Sequence, residues 1–533
     1  MAQSVVAVEP GLLEQLTQRA AGHPAFMLEL LRECLRRTPQ VWTPAGLGLG
    51  PGAEVGLPDD LLSVWSGRVD RLVAGLPFGA RLALQLAALL GPDIDDELWR
   101  DACVRLGVVI PDTLTQRLFI DQLAEGASQG WAFTHPGLRE ALLREAAQDS
   151  RANHEACAAA LVARREEGLR TATHLIRAGQ PALACPYLLR FIQGAIRGGS
   201  LRAAESALSL YSGALTSMGV AEGSAEWGGW LMLRARLAEA RQEVDALASP
   251  ARRLLMHCYR HEWSEQMPTA LRLMGVVMLR RRRFMEALEL LSRARELAEA
   301  AQHTADAVEV ALSWVDAQQS SGEHAGALAS AHRAVALAEG ARDERLRVES
   351  ALAVARSLMS LGRLDASHLA LVEVCRAAAA AGLPGLHGRA LLRRGEVLAL
   401  QRAYREALTA LQEAVDVLRG VDDGLAERRA LLLRAWAHTL LGQDAAARHD
   451  LDAAARGDWR PWEAMDRLQL GVLDAALSPP GSPARREAWA RLTRGLGRGA
   501  RPQGGPLLVR LRERADPELL EWMDHLGLLR ASP

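Results

Sequence analysis

The 533-residue chain contains no lysine: all 63 basic residues are arginine, and Asn153 is the only asparagine. A G-x-x-x-x-G-K-[ST] phosphate loop needs a lysine at the β/γ-phosphates, and a protein kinase needs both a lysine and an asparagine in its catalytic machinery. Schiff-base chemistry with pyridoxal phosphate and S-x-x-K acylation also depend on a lysine amine. The chain by itself therefore lacks the side chain on which each of these mechanisms depends.

Aromatic residues are scarce as well, at 4% of the chain, although hydrophobic residues make up 49%. Leucine, alanine and valine must therefore build the core of a chain long enough for three or four domains. The net charge of −1 argues against a protein that coats nucleic acid through a basic surface. The six cysteines form no C-x-x-C pair, which indicates buried small apolar residues in a reducing compartment.

Targeting segments are not evident in the sequence. The first residues, MAQSVVAVEPGLLEQ, show neither the basic segment nor the apolar stretch of a secretory signal. The longest uncharged apolar run, near Leu82–Leu90, is far shorter than the roughly 18 residues that a membrane helix needs. These features predict a cytoplasmic protein.

The segment Leu271–Gly457 repeats with a period of 40, and its predicted inter-helix turns fall at Arg282, Gly322, Gly362, Arg402 and Gly442. Each well-matched unit has a small residue on its first helix, an aromatic at the start of the second helix and two alanines after it. These are Gly275, Phe284, Ala287 and Ala294 in one unit, and Gly395, Tyr404, Ala407 and Ala414 in another. Small residues let two antiparallel helices approach closely, and hairpins that cannot bury their apolar faces alone stack into a solenoid.

This pattern resembles the tetratricopeptide repeat (TPR). The unit is six residues longer than the usual 34, so we expect longer second helices or loops. The unit near Ala351 matches least, because Ser367 and Val374 replace its alanines. Helical hairpins are expected from about Ala152 onward, with Trp227–Ala248 as a less regular unit.

Five short motifs occur in order in the first part of the chain. They are GHPAFMLELLR from Gly22, LPDDL from Leu57, RVDRL from Arg68, AALLG from Ala87 and WAFTHPGLREAL from Trp131. In this order they resemble the C-terminal end of a STAND-type (signal-transduction AAA-like) ATPase module with its winged-helix domain. Helical repeats follow that module in large ATP-binding LuxR-type regulators and in ATPase-fused bacterial serine/threonine kinases.

The resemblance implies that the residues carrying nucleotide chemistry would precede residue 1, so no catalytic or cofactor-binding residue is transferred to this chain. The glycine-rich segment Pro44–Gly56 is expected to be a linker, because no lysine follows its glycines and no strand is expected before it. Whether the chain is a complete protein or lacks a front ATPase or kinase portion stays open.

The predicted fold is all-α apart from a small β-hairpin near Trp131–Thr134: a winged-helix-like domain followed by a right-handed TPR-like α-solenoid superhelix. The predicted segments are 1–56, the remnant of a STAND/AAA-type ATPase module plus linker; 57–150, winged-helix-like; 151–265, irregular helical hairpins; 266–457, TPR-like repeats of period 40; and 458–533, C-terminal helices with a Pro/Gly-rich linker.

Three groups of residues invite a chemical role and have a simpler explanation. His257 and His261 are spaced to bind a metal from one helix face, but the sequence fixes no third ligand, and partly exposed helix residues are expected instead. His135 is compatible with a base or a nucleotide contact, and a structural role is expected. Acidic residues around a helix start are interpreted as caps rather than a cation site; they are Asp93, Asp95, Asp96 and Glu97.

Two arginine clusters are interpreted in the same way. Arg280–Arg283 is expected to be a solvated hairpin tip rather than an anionic docking point. The basic tail is expected to be a flexible linker before the last helix, with contact to RNA or an acidic partner as the alternative; its residues are Arg485, Arg486, Arg491, Arg494, Arg498 and Arg501.

The sequence favours a non-enzymatic interaction or sensor module of a bacterial signalling system, with no catalytic, metal or cofactor site. A protein, a peptide or a small effector would bind the concave face lined by first helices. Residues chosen there by spacing are Trp314, Arg394, Glu396, Arg434 and His438. The alternatives are the C-terminal portion of a split ATPase or kinase, and a transcriptional regulator that uses the winged helix on DNA.

Overall fold

The computed structural model describes residues 61–496 apart from 148–149, 342, 422 and 457–463, together with 40–43, 46–49, 511, 515–525 and a few positions between 13 and 31. The chain divides into two compact units, 1–188 and 189–533. Each unit has its own core and is described by itself.

Unit 1 combines helices with short strands. In chain order the elements are β1 (Gln40–Thr43), β2 (Gly46–Leu49), α1 (Leu61–Val73), α2 (Gly79–Leu90), β3 (Asp93–Asp95), α3 (Asp96–Arg105), α4 (Asp112–Ile120), β4 (Ala124–Ala127), β5 (Gly130–Phe133), α5 (Pro136–Ala146), α6 (Ser150–Ala163) and α7 (Leu169–Arg177). The helix α8 (Pro181–Gly198) contains the point of division.

A three-stranded antiparallel sheet lies between the helices of unit 1, in the order β3-β5-β4. Trp131 of β5 is fully buried and meets Trp99 of α3 edge-on, with ring centroids 5.4 Å apart. The predicted hairpin near Trp131–Thr134 is therefore present, and β3 adds a strand that the sequence interpretation did not include.

The expected linker Pro44–Gly56 is wrong for positions 46–49, because β2 pairs with β1 in antiparallel register from Gln40↔Leu49 to Thr43↔Gly46. The alternation of glycine and leucine in GLGL satisfies the period of two of a strand, and the pairing residues QVWT have high strand propensity. The rest of the expected linker lies outside the described residues.

The described part of unit 2 consists of helices. They are α9 (Leu201–Ser217), α10 (Ala225–Ala240), α11 (Val244–His261), α12 (Met267–Arg280), α13 (Phe284–Ala300), α14 (Thr304–Ser321), α15 (His324–Gly340), α16 (Glu344–Ser360), α17 (Leu364–Ala380), α18 (Pro384–Leu400), α19 (Tyr404–Gly420), α20 (Gly424–Leu440), α21 (Asp444–Ala455), α22 (Ala464–Ala476), α23 (Pro483–Leu496) and α24 (Pro517–His525).

From α10 to α21 the turns recur at half the period of the repeat. Nine described residues with positive φ mark them: Gln242, Glu262, Arg282, Gln302, Gly322, Gly362, Gly382, Arg402 and Gly442. All five predicted turns are among them, and the register also extends one hairpin upstream of the predicted repeats. Because the turns are evenly spaced, the six residues by which the repeat exceeds 34 are divided between the two halves of a hairpin rather than placed in the second helix alone.

Close helix contact inside a hairpin depends on the predicted small residues. A Cβ built on Gly395 of α18 would lie 2.5 Å from Cγ of Leu411 on α19, and the equivalent Gly275 faces Leu291 of α13 at 3.0 Å. In the least matched unit Ser367 is fully buried, and its hydroxyl donates to the Ala355 carbonyl at 2.8 Å. The fold is thus an all-α stack of TPR-like hairpins.

Successive first helices, α10, α12, α14, α16, α18 and α20, pack directly against one another. Among the described residues, successive second helices make few or no such contacts. The first helices therefore line the inner side of the stack in unit 2. None of the described helices is long and apolar enough to cross a membrane.

Candidate functional site on the inner face of the first helices

One face of each first helix carries the surface that we call the inner stripe. It consists of positions 229, 232, 236 and 239 on α10 and the positions that follow them at each further period of 40, on α12 to α20. Steps of three and four keep these positions on one side of a helix. The period of 40 therefore aligns the same face of six first helices along a single surface.

A chain of ion pairs connects four consecutive first helices across this face. Arg272 of α12 binds both carboxylate oxygens of Glu239 on α10, at 2.5 and 2.9 Å. The same guanidinium lies 3.5 Å from Glu309 of α14. Arg345 of α16 then bridges Glu309 at 3.1 Å and Glu349 at 2.8 Å. Charges of opposite sign thus alternate from one hairpin to the next.

A second set of contacts runs parallel to the first, between α14 and α16. Arg356 pairs with Asp316, which lies one period earlier, and also donates to Oε1 of Gln319 at 2.9 Å. Gln319 in turn donates to the Ser357 hydroxyl at 2.9 Å. Glu396, one period after Arg356, contributes to the field at that guanidinium.

Burial and charge oppose each other in this network. Burial lowers the pKa of Arg272, but Glu239 and Glu309 outweigh it and hold the guanidinium charged. Burial raises the pKa of Glu309, but three arginines, Arg272, Arg236 and Arg345, lower it below its usual range. Both groups are therefore charged at neutral pH, and the charge of each offsets the cost of burying the other.

Glu349 has a different balance. Burial raises the pKa of its carboxyl, Arg345 and Arg389 lower it, and the nearby carboxylate of Glu309 raises it again, with a net upward shift. Its side chain nevertheless stays 33% exposed on the inner face. Glu349 thus combines a raised carboxyl pKa with partial exposure on the inner face.

The predicted partner-binding residues occupy two different faces. Glu396 belongs to the inner stripe and pairs with Arg393 at 2.6 Å. Trp314 lies under the guanidinium of Arg295 on the second helix α13, 4.9 Å from its ring centroid. Arg394 is partly buried, and its Nε is buried without a hydrogen bond.

The last two predicted residues contact the second helix α21. Arg434 forms a two-point ion pair with Asp450 at 2.6 and 2.7 Å, and His438 lies 3.7 Å from the same carboxylate. The structure therefore brings Arg434 and His438 together around Asp450, apart from Trp314, Arg394 and Glu396. A partner-binding role for these five residues stays a prediction.

The ion pairs and hydrogen bonds of the inner stripe, which we call the inner network, do not follow from the spacing of first-helix residues alone, because that spacing does not say which face of the helix a residue occupies. Positions 314, 394 and 434 share one register, two residues before the stripe positions 316, 396 and 436, and two residues rotate a helix by about 200°. The charges of Asp316, Arg356 and Glu396 alternate in sign at intervals of one full period, and this alternation was a readable signal of the network.

Other candidate residues have structural partners. His135 stacks on Trp65 with ring centroids 4.5 Å apart and caps α5, its Nδ1 accepting from the Gly137 N–H at 3.0 Å. Asp95 caps α3 by accepting from the Leu98 N–H at 2.9 Å. The expected structural role of His135 and the expected cap at Asp95 are both confirmed.

His257 and His261 lie at the end of α11 with stacked rings 5.7 Å apart, and Trp263 stacks on both. In the described part of the chain, no group of three or more His, Cys, Asp or Glu side chains is placed to hold a metal ion. Arg280–Arg283 is exposed, as expected for a hairpin tip.

The expectation of a flexible linker is wrong for Arg485. This residue lies in α23 and is 2% exposed, and its guanidinium pairs with Asp516 at 2.5 Å and donates to the Ser478 carbonyl at 3.0 Å. A buried guanidinium with two such partners is not compatible with a solvated linker. Arg498 and Arg501 lie outside the described residues.

No family model matches the chain, and no curated protein sequence does either. Among solved structures, the chain is similar to a STAND protein with a tetratricopeptide repeat sensor from Pyrococcus horikoshii, at 13% identity and a TM-score of 0.47, over 90% of this chain and 69% of that one. It is similar to a Rap protein complexed with competence and sporulation factor, at 13% identity and a TM-score of 0.46, over 65% of this chain and 94% of that one. It is also similar to NprR in complex with its cognate peptide NprX, at 16% identity and a TM-score of 0.43, over 64% of this chain and 93% of that one.

Proposed function

We propose that unit 2 is a non-enzymatic interaction and sensor module that binds an extended segment of a partner protein, or a free peptide, along the inner stripe. The observation that carries this proposal is the alignment of partly exposed, charged side chains from successive first helices on the inner face. Within one signalling system such a module would report the presence of its partner.

The charge of the inner stripe is poorly explained by stability alone. Buried or half-buried ion pairs recover little more than the cost of desolvating their charges, and apolar replacements are often as stable. Packing is already supplied beneath the charges by stripe leucines such as Leu352 and Leu392, which are 6% and 4% exposed. Asp316, at 45% exposure, and Glu349 keep part of their charged surface available to a ligand.

Unit 1 supports a companion proposal, that its sheet and helices form a winged-helix domain. The order α2, β3, α3, α4, β4, β5 and the sheet order β3-β5-β4 are those of such a domain. In DNA-binding members the helix in the place of α4 enters the major groove. The arginine of this helix, Arg117, is half-buried and donates to the Leu72 and Ala74 carbonyls at 3.0 and 2.8 Å, and the exposed side chains of the helix carry no positive charge: Asp112, Thr113, Gln116, Phe119 and Ile120. This favours a domain that contacts protein over a transcriptional regulator that reads DNA.

The test is selection from a phage-displayed library of random dodecapeptides, with the purified full chain as bait. A binding groove on the inner stripe predicts an enriched peptide family whose affinity falls at least about tenfold for Arg356→Gln. The matched control is Arg376→Gln on α17, whose side chain is 71% exposed and, among the residues that the structure describes, pairs only with Glu373 on the same helix. Enriched peptides that bind both variants like wild type would contradict the proposal.

A further inference from the structure

Resting on the proposed function, we propose that the bound peptide carries one basic and one acidic side chain about three residues apart, the basic group held by Glu349 and the acidic group by Arg389. The ligand is therefore a two-charge, extended peptide rather than an apolar helix or a uniformly charged strand.

The inner stripe changes sign between these two residues. On the last four first helices, the first of the four stripe positions is Glu309 on α14, Glu349 on α16, Arg389 on α18 and Arg429 on α20. Glu349 and Arg389 occupy the equivalent place on neighbouring first helices, one period apart, and the charge of Arg389 acts on the Glu349 carboxyl. A ligand lying across the stripe here meets an acid on one helix and a base on the next.

Both side chains remain accessible although they have protein partners. Glu349 is 33% exposed and Arg389 is 37% exposed, whereas Glu309 is 15% exposed. Arg389 donates from Nε to Asp423 at 2.8 Å, and within the described part of the chain its two terminal nitrogens make no hydrogen bond to protein. A guanidinium with five N–H donors retains the capacity to bind a second carboxylate there.

Glu349 is short of positive charge. Its only ion-pair partner among the described residues is Arg345, which it shares with Glu309. Glu309 in addition receives Arg236 at 3.2 Å and Arg272 at 3.5 Å. An ammonium or guanidinium from a ligand would give the Glu349 carboxylate a second ion pair and offset its repulsion by Glu309.

Helix spacing sets the separation of the two ligand charges. Packed helices lie about 8–10 Å apart, and an extended peptide in the polyproline II conformation advances about 3.1 Å per residue with three residues per turn. Two side chains three residues apart therefore lie on the same side of such a peptide, about 9 Å from each other, which matches two adjacent first helices. A helical peptide would place the same two residues about 4.5 Å apart, since its rise is about 1.5 Å per residue.

The experiment repeats the peptide selection with three baits: wild type, Glu349→Gln and Arg389→Gln. Wild type should enrich peptides with a Lys or Arg and an Asp or Glu three positions apart. Glu349→Gln should lose the preference at the basic position only, and Arg389→Gln at the acidic position only. A synthetic consensus peptide should bind Glu349→Gln or Arg389→Gln about tenfold more weakly than it binds wild type. Double-mutant cycles with peptides that lack one charge should show that Glu349 couples to the basic residue of the peptide and Arg389 to the acidic one.

The controls separate this inference from the proposed function. Glu373→Gln on α17, a second-helix residue whose side chain is 68% exposed, should select the same peptides as wild type. Glu349→Gln and Arg389→Gln should each keep a thermal unfolding midpoint within a few degrees of the wild-type value. Enrichment of peptides without the charge pair, or with a charge pair indifferent to Glu349→Gln and Arg389→Gln, overturns the inference and leaves the proposed function standing. If wild type enriches no peptide family, both are overturned.

Discussion

Inside unit 1 the imidazoles of His154 and His174 lie within hydrogen-bonding distance, Nδ1 to Nδ1, at 2.9 Å. Both side chains are buried, on α6 and α7. His174 also interacts with the backbone of Leu89, and donation from its Nε2 to that carbonyl would leave its Nδ1 as the acceptor. His154 would then donate from Nδ1, and the acceptor ring of His174 must be neutral, because a protonated imidazole has no lone pair to accept with.

Acid should therefore weaken unit 1 through this pair. Burial, and then nearby charge from Arg177, lowers the pKa of His154 to about 4, and burial lowers that of His174 to about 3. In the unfolded chain both titrate near about 6.5, so the unfolded state takes up protons first as the pH falls. The contribution of the pair to the free energy of unfolding is complete above about pH 6.5. It declines as the pH falls toward about 4, by roughly 1.4 kcal/mol per pH unit for each histidine.

Urea unfolding at pH 7.5 and pH 5.0 measures this loss. We expect a smaller difference between the two pH values in the double variant His154→Gln/His174→Gln than in wild type. His332→Gln, at an exposed position of α15, is the control and should retain the wild-type difference. Equal pH dependence in wild type and the double variant would show that the pair does not carry the effect.

Removal of one buried charge should be costly in unit 2. Arg272→Met leaves the carboxylates of Glu239 and Glu309 without their shared cation, and breaking a buried pair costs about 3 kcal/mol or more. Arg376→Met breaks an exposed pair with Glu373 and should change the unfolding free energy by about 0.5 kcal/mol or less. Denaturant titrations that give the two variants equal stability would contradict a structural role for the inner network.

Two glycines on α18 provide a matched test of helix approach. Gly395→Ala adds a Cβ 2.5 Å from Leu411 Cγ and should destabilise the unit by about 1–3 kcal/mol. Gly385→Ala, where no atom lies within 4 Å, should be neutral or stabilising by up to about 1 kcal/mol. Thermal unfolding of both variants checks the difference, which should vanish if the two helices are free to separate.

The turn register predicts substitutions of opposite effect at equivalent positions. Arg282 has a φ of 61° and Gly362 a φ of 72°, and a left-handed backbone costs a residue with a Cβ about 1 kcal/mol relative to glycine. Arg282→Gly should therefore raise the unfolding midpoint and Gly362→Arg should lower it. Shifts in the same direction would show that side-chain contacts, rather than backbone conformation, decide stability at these turns.

The repeat could be predicted from the sequence because its signals are local and periodic. Glycines at 322, 362 and 442 follow from the left-handed backbone of the turns, and Gly395 follows from the close approach of its helix to Leu411; both signals recur at a fixed interval. The strand β3 was harder to foresee, since three residues, Asp93–Asp95, carry too little pattern to separate a strand from an acidic helix cap.

Much of the inner network could not be derived in the same way. Asp316 and Arg356 share the period, but Arg272 reaches Glu239 across 33 residues and Arg345 reaches Glu309 across 36. Those contacts depend on the length of the arginine side chain and on the offset between helices, neither of which the period reveals. The same holds for Arg434, whose register gave no indication that it meets Asp450 on a second helix.

The even spacing of the turns sets a rule for how unit 2 can change length in evolution. Duplication or loss of one full period joins helices at equivalent points, so every remaining helix keeps its direction and its neighbours of the same kind. Insertion of half a period, a single helix, would instead reverse the direction of everything downstream and bring second helices to the inner side. Whole hairpins are therefore the expected unit of gain or loss, and each one gained would extend the row of charged side chains on the inner stripe.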